Sequence, residues 1–313
     1  MDRYLLHQPL HGLTVELHML ETAMLLGELL NRTVILPLIP NLETQDYKDG
    51  LDVYFKIPDT FPWMANHEFY KFYRMIDTTY RIIPYYKMEY NNKKICDTHP
   101  IWLDGILHSP YFHKIGYDEA RIKTLPLEQQ LDREAALDLF DTDEQVIAIT
   151  YLNGILDDSF YKRNIGKDSY KYYRSVPMTP SDSFMAAAKD IIAGRRFAAV
   201  HWRRGMNMDV IIKELWKKDG LPQANKVHNR IPKEYGLLFL STDVNENSFD
   251  LEHRYTYINY CNDVEPNEKA MIDMSICILS DYFIGNYYSA FSRYIFHSRC
   301  CMGMDEKKTS FIM

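Results

Sequence analysis

Phe197-Ala198-Ala199-Val200-His201-Trp202-Arg203-Arg204-Gly205-Met206 is the stretch on which the reading of this chain turns. Phe197 to Val200 form a short apolar run that reads as a buried strand, preceded by a helical stretch and the breaker Gly194. In a chain that alternates helix and strand, such a strand ends at the carboxyl edge of a parallel sheet, where ligands bind. Two guanidiniums delivered to that edge are costly to desolvate unless an anion sits opposite them. Arginine keeps its charge and offers a planar fork of donors that matches phosphate oxygens. Taken by itself, the same stretch also suits a solvated or acid-paired basic turn.

The flanking sequence supplies the alternation. Ser175-Val176-Pro177-Met178-Thr179-Pro180 has linker chemistry, and Ser181 or Asp182 is placed to cap a helix running to about Ile192. After strand 197–201 come a loop to about residue 232, a strand over 236–241 and a weak strand near 255–259. A helix over 266–280, a strand over 282–285 and a final helix from about 289 complete the pattern. The C-terminal half is therefore expected to be a parallel-sheet α/β unit. Toward the N-terminus, Leu13, Leu17, Leu20 and Met24 recur at helical spacing over 13–30, and Asn31 closes the helix. Val34 to Leu38 reads as one short buried strand bounded by Pro37 and Pro40, and residues 146–151 as another. Residues 41–140 are irregular and rich in aromatic residues and proline.

Composition narrows the function classes. The chain has 313 residues, enough for two core-bearing units, and 46% hydrophobic with 25% charged residues is ordinary for a globular protein. A formal net charge of −7 argues against a nucleic-acid partner and makes Arg203 and Arg204 a local exception. The 24 tyrosines suit either sugar stacking or plain packing. Five scattered cysteines without paired CxxC spacing argue against a structural zinc site and fit a reducing compartment. Neither a signal peptide nor an apolar run long enough to span a membrane is evident, so a cytoplasmic location is expected. Asn31-Arg32-Thr33 is formally a glycosylation sequon, read here as a helix-to-strand turn.

His201-Trp202-Arg203-Arg204 resembles the first donor-binding motif of the GDP-fucose-dependent fucosyltransferases, the protein O-fucosyltransferases and α1,6-fucosyltransferases including the bacterial nodulation type. Residues 21–40 are similar to the family's opening helix, its Leu-Asn-Arg-Thr turn and the following strand. Residues 272–295 resemble its guanine and phosphate segment, and Gly303-Met304-Asp305 its protein O-fucosyltransferase ending. The resemblance implies an α/β, GT-B-like fold of two Rossmann-like domains facing a cleft. It places an acceptor-side domain at 1–178 and a GDP-sugar-binding domain at 179–313.

The resemblance also implies roles. His201 becomes a donor-site residue, Arg203 the main diphosphate contact and Arg204 a second one. Ser289, at a predicted helix start where free backbone N–H groups hold phosphate, would touch the β-phosphate. Asp273 would accept hydrogen bonds from guanine, for which a carboxylate is chemically suited. Thr242 and Asp243 would lie near the nucleotide. Two departures stand out. The α1,6-type aspartate two positions after the second arginine is replaced by Met206, with Asp209 the nearest acid. The family's glycine-rich first loop keeps Gly12 but not its asparagine, leaving Glu16 nearby.

The implied chemistry is departure of GDP from the anomeric carbon, with the arginines stabilising the charge that grows on the leaving phosphate. They would stand in for a divalent ion, so no metal or other cofactor is expected, and Asp141-Thr142-Asp143 reads as a polar surface turn. Glu16, Asp209 and Glu214 are candidate bases for an acceptor hydroxyl on a glycan or protein. Two alternatives stay open: the same fold using another nucleotide sugar such as a rhamnose donor, and a non-catalytic sugar-binding or scaffold protein.

Overall fold

The helix expected over 13–30 forms as Leu13–Leu30, with Leu13, Leu17, Leu20 and Met24 all buried. Asn31 ends it in the left-handed region at φ 51. The Arg32 N–H then donates back to the Gly27 carbonyl at 2.8 Å, so the chain turns into the strand Thr33–Ile35 with its last carbonyls satisfied. In this computed structural model the described residues are 2–7, 13–40, 47–72, 80–83, 89–90, 93–94, 131–149, 178–203, 224–243, 249, 255–260, 264–287 and 289–312. The chain divides into two compact units. One is Met1–Val53 with Ile57–Pro177, and the other is Tyr54–Lys56 with Met178–Met313.

The first unit is built on a five-stranded sheet in the order Trp63–Met64, Thr33–Ile35, Tyr4–His7, Val146–Ile149, Tyr80–Ile83. Every pairing in it is parallel. Two expectations need correction here. The single strand read over 34–38 is two strands, Thr33–Ile35 and Leu38–Pro40, and the second pairs antiparallel with Tyr47–Gly50. Pro37, which lacks an N–H for a ladder, separates them. The central strand Tyr4–His7 had no reading at all, and the irregular 41–140 stretch holds the helix Asn66–Phe72.

The second unit carries a five-stranded parallel sheet in the order Thr256–Tyr257, Leu237–Thr242, Ala198–Trp202, Tyr282–Asn286, Thr309–Ile312. In chain order that is 3-2-1-4-5, the doubly wound arrangement, with its switch point between Ala198–Trp202 and Tyr282–Asn286. Both faces are covered, as an all-parallel sheet requires. Ala198, Val200, Trp202, Leu238 and Leu240 pack one face against Val227, Ile231, Tyr235 and Phe249. Side chains alternate along a strand, so Ala199, His201, Phe239 and Ser241 point to the other face. There the Ser241 hydroxyl reaches Asp273 of the helix Pro266–Leu279.

Local chemistry accounts for the helices. Glu265 caps Pro266–Leu279 by accepting from the Asn267 and Glu268 N–H groups at 2.9 and 3.1 Å. Ser181 occupies the cap position before Asp182–Ile192, although its hydroxyl lies against Ser183 instead of the helix end. Thr179–Pro180, within the stretch read as linker, pairs antiparallel with Phe55–Lys56. The loop read up to residue 232 contains the short helix Ala224–His228.

Candidate functional site

The switch point is where the ladder opens. Ala198, Ala199 and Val200 pair with Tyr282, Phe283 and Ile284, and the pairing stops there. Beyond it, His201 and Trp202 stay with Ser241 and Thr242, whereas Gly285 and Asn286 stay with Phe311 and Ile312. The two central strands part at their carboxyl ends, and His201 and Arg203 stand on one lip of the gap.

On the other lip, the strand Tyr282–Asn286 leads through a turn into the helix Ala290–Cys301, with Ser289 at the cap position. Ser289 is buried and extended, and its hydroxyl makes no capping bond; its N–H donates to the Asn286 carbonyl at 3.1 Å. Amide groups of the first helical turn lack partners inside the helix, so this end presents donors and a positive dipole end. Gly285 permits the close approach of this helix, because a Cβ there would lie 2.8 Å from the Ser292 Cβ.

His201 is buried, with its Nδ1 2.6 Å from the Ser292 hydroxyl and its ring 4.7 Å from that of Phe291. Burial, and then the neighbouring Arg203 charge, push the imidazole from 6.5 down to about 3, with Asp243 opposing. The ring is accordingly neutral at physiological pH. Arg203 is partly exposed and forms an ion pair with Asp243. Thr242, which precedes Asp243, donates to the Trp202 carbonyl at 2.9 Å and ties the two strand ends together.

Asp273 lies on the same face, one strand over. It accepts from the Ser241 hydroxyl at 3.1 Å, from the Lys269 ammonium at 3.1 Å, and from the Tyr260 hydroxyl. Burial pushes its carboxyl up, while Lys269 first and then the hydrogen bonds pull it back. The Tyr260 hydroxyl is raised in turn, by burial and then by the Asp273 charge. Three donors onto one carboxylate leave about one of its four acceptor positions open.

The second unit thus gathers His201, Arg203, Thr242, Asp243, Asp273 and Ser289 along one sheet edge. Glu16 belongs to the first unit, where it is fully buried in the first turn of Leu13–Leu30. Gly12, Arg204, Asp209 and Glu214 lie outside the described residues. Ser292 went unread in the sequence. Its signal was positional: a small polar residue one turn into the helix after a Gly285-containing strand. Among the described residues no group of three or more His, Cys, Asp and Glu side chains is placed to hold a metal, and no helix is long and apolar enough to cross a membrane. Asp141 pairs with Arg3 at 2.8 Å. Cys277, Cys300 and Cys301 form no disulfide, and the Cys301 Sγ lies 3.2 Å from the His297 Nε2.

No protein-family model matches the chain, and no curated protein matches its sequence. Solved structures do match in fold. POFUT1 in complex with GDP superposes with a TM-score of 0.68 at 14% identity, covering 99% of both chains. POFUT1 in complex with GDP-fucose gives 0.67 at 15% identity, over 99% of this chain and 98% of that one. The fucosyltransferase NodZ from Bradyrhizobium gives 0.52 at 12% identity, over 94% and 93%. The α/β, GT-B-like architecture expected from the sequence is the one these fucosyltransferases have.

Proposed function

We propose that this chain is a GDP-fucose-dependent glycosyltransferase that moves L-fucose to an acceptor hydroxyl on a glycan or protein, with inversion and without a metal ion. The observation that carries this reading is the position of Arg203. It stands at the carboxyl end of the first strand of a 3-2-1-4-5 sheet, beside the switch point, across from an uncapped helix start. Its fold is shared with a protein solved with GDP-fucose bound.

The chemistry follows from charge. As the bond from the anomeric carbon to the β-phosphate oxygen breaks, negative charge gathers on the departing GDP. A guanidinium held in place stabilises that charge more than it stabilises the bound donor. Asp243 holds Arg203 at the sheet edge, and the diphosphate would take up the remaining donors of its fork. Helix amides at Ser289 would face the same diphosphate. His201, neutral, contributes a hydrogen bond without adding charge. Asp273 is assigned the guanine edge and Asp209 the acceptor proton, while Glu16, fully buried in the first unit, is not placed to take it.

A second reading, the same chemistry on another nucleotide sugar, draws support from Asp273, whose acceptor positions are mostly taken by Ser241, Lys269 and Tyr260. Calorimetry with GDP and UDP, together with release of fucose from GDP-fucose, tests both. GDP binding with donor turnover supports the fucosyl reading. Binding of UDP alone would move the assignment to the second, and binding of neither would remove both.

A further inference from the structure

We infer that Ser292 is the positioning residue of this site: its single hydroxyl sets His201 and the start of the phosphate-facing helix relative to each other. The inference deepens the GDP-sugar reading above and rests on it. Ser292 is completely buried, on the helix Ala290–Cys301. Its Oγ lies 2.6 Å from the His201 Nδ1 and accepts the Asn286 N–H at 2.9 Å. Those two partners belong to the two strands that part after Val200 and Ile284.

At the point where the backbone ladder ends, one side chain therefore replaces it, bonded to both lips of the gap. The neighbours are built around this wedge. Gly285 has no side chain to meet Ser292, and Phe291, next to it, lies against the His201 ring. A serine oxygen that accepts a backbone N–H still has its own proton to give and a second lone pair. It can hold Nδ1 in either tautomer while keeping the amide satisfied. The separation of the strand ends decides whether Arg203 and the amides after Ser289 can meet one diphosphate. A fraction of an ångström there changes both contacts at once.

The test uses the full chain with Ser292→Ala, which removes both bonds at small volume, and Ser292→Thr, which keeps the hydroxyl. Three readouts are needed: GDP affinity by calorimetry, ring 15N resonances of His201 by NMR, and circular dichroism for folding. In a folded Ser292→Ala chain the His201 ring resonances are expected to shift, and GDP affinity to fall about tenfold, the scale of one hydrogen bond and its knock-on displacement. Ser292→Thr is expected to keep the wild-type ring signature and affinity. A folded Ser292→Ala chain that binds GDP as the wild type does overturns this inference and leaves the functional reading standing. So does an unchanged His201 ring signature. A wild-type chain that binds no GDP overturns the functional reading, and this inference with it.

Discussion

Three arginines of this chain differ in their surroundings: two are buried against main-chain carbonyls and one is partly exposed at a sheet edge. Arg32 is buried at the amino edge of the first sheet, donating to the Glu144 and Thr142 carbonyls at 3.0 and 2.8 Å. Arg299 is buried in the second unit, where it donates to the Ile278 and Ser280 carbonyls at 2.9 and 2.7 Å and closes the end of Pro266–Leu279. Burial lowers it to about 10, so it stays charged. Arg32 spends its fork on backbone oxygens, and Arg299 divides its own between backbone oxygens and the Thr309 and Ser280 hydroxyls. Arg203 instead stays partly exposed at the carboxyl edge, with one carboxylate partner. Arg203→Ala is expected to lower transfer from GDP-fucose by about 10²–10³ while circular dichroism shows a folded chain. Arg203→Lys should recover little, because an ammonium cannot reproduce the fork. Wild-type turnover in a folded Arg203→Ala chain would remove this residue from the phosphate site. The strand end at Arg203 was legible because an apolar run followed by two arginines is a local pattern, although its role came only from the resemblance. Ser292 was not, because a buried serine on a helix looks like filler until its two partners are seen.

At the scale of elements, the long periodic segments were read within a residue or two. Leu13–Leu30, Asp182–Ile192, Leu237–Thr242, Pro266–Leu279 and Ala290–Cys301 all appear where spacing and caps put them. What escaped were short strands without alternation, Tyr4–His7 and Thr309–Ile312. Tyr4–His7, buried at every position, has no period to betray it, and Thr309–Ile312 is an edge strand, half-buried through Phe311; only pairing with Val146–Ile149 or Tyr282–Asn286 defines them. The strand-to-helix junction at Gly285 gives a prediction of its own. Added carbon at that position would meet Ser292, Phe283 and Phe311 within 2.8 to 3.0 Å. Gly285→Ala is accordingly expected to cost about 1–3 kcal/mol of stability by overpacking, measured by urea unfolding. It should also weaken GDP binding, since the strain falls on the Ser292 wedge. An alanine variant with both quantities unchanged would show that the helix start is not packed this tightly.

For the molecule as a whole, two buried histidines couple stability to pH. His7 and His201 are each lowered from 6.5 to about 3, mainly by burial, one in each unit. Below pH 6.5 the unfolded chain takes up protons on these rings that the folded chain refuses, so acidification favours unfolding. Their contribution is fully present above about 6.5 and is lost progressively down to about 3; from pH 7 to pH 5 each ring should remove about 2 kcal/mol. Urea unfolding at the two pH values checks this, and His201→Gln should lose that ring's share of the pH dependence. Chelation is the other test at this scale. Transfer activity should survive EDTA, since the proposed chemistry places the phosphate charge on Arg203. Activity abolished by EDTA and restored by manganese would contradict that assignment. The amino-acid sequence alone determined the α/β alternation, the arginine pair at a strand end and the order of the C-terminal elements, because these are properties of local spacing and charge. Only the tertiary structure decided which strands are central, where the ladder opens, and that Ser241, Lys269 and Tyr260 converge on Asp273. Those features join residues far apart in the chain, and no local pattern records a pairing that sheet formation alone creates.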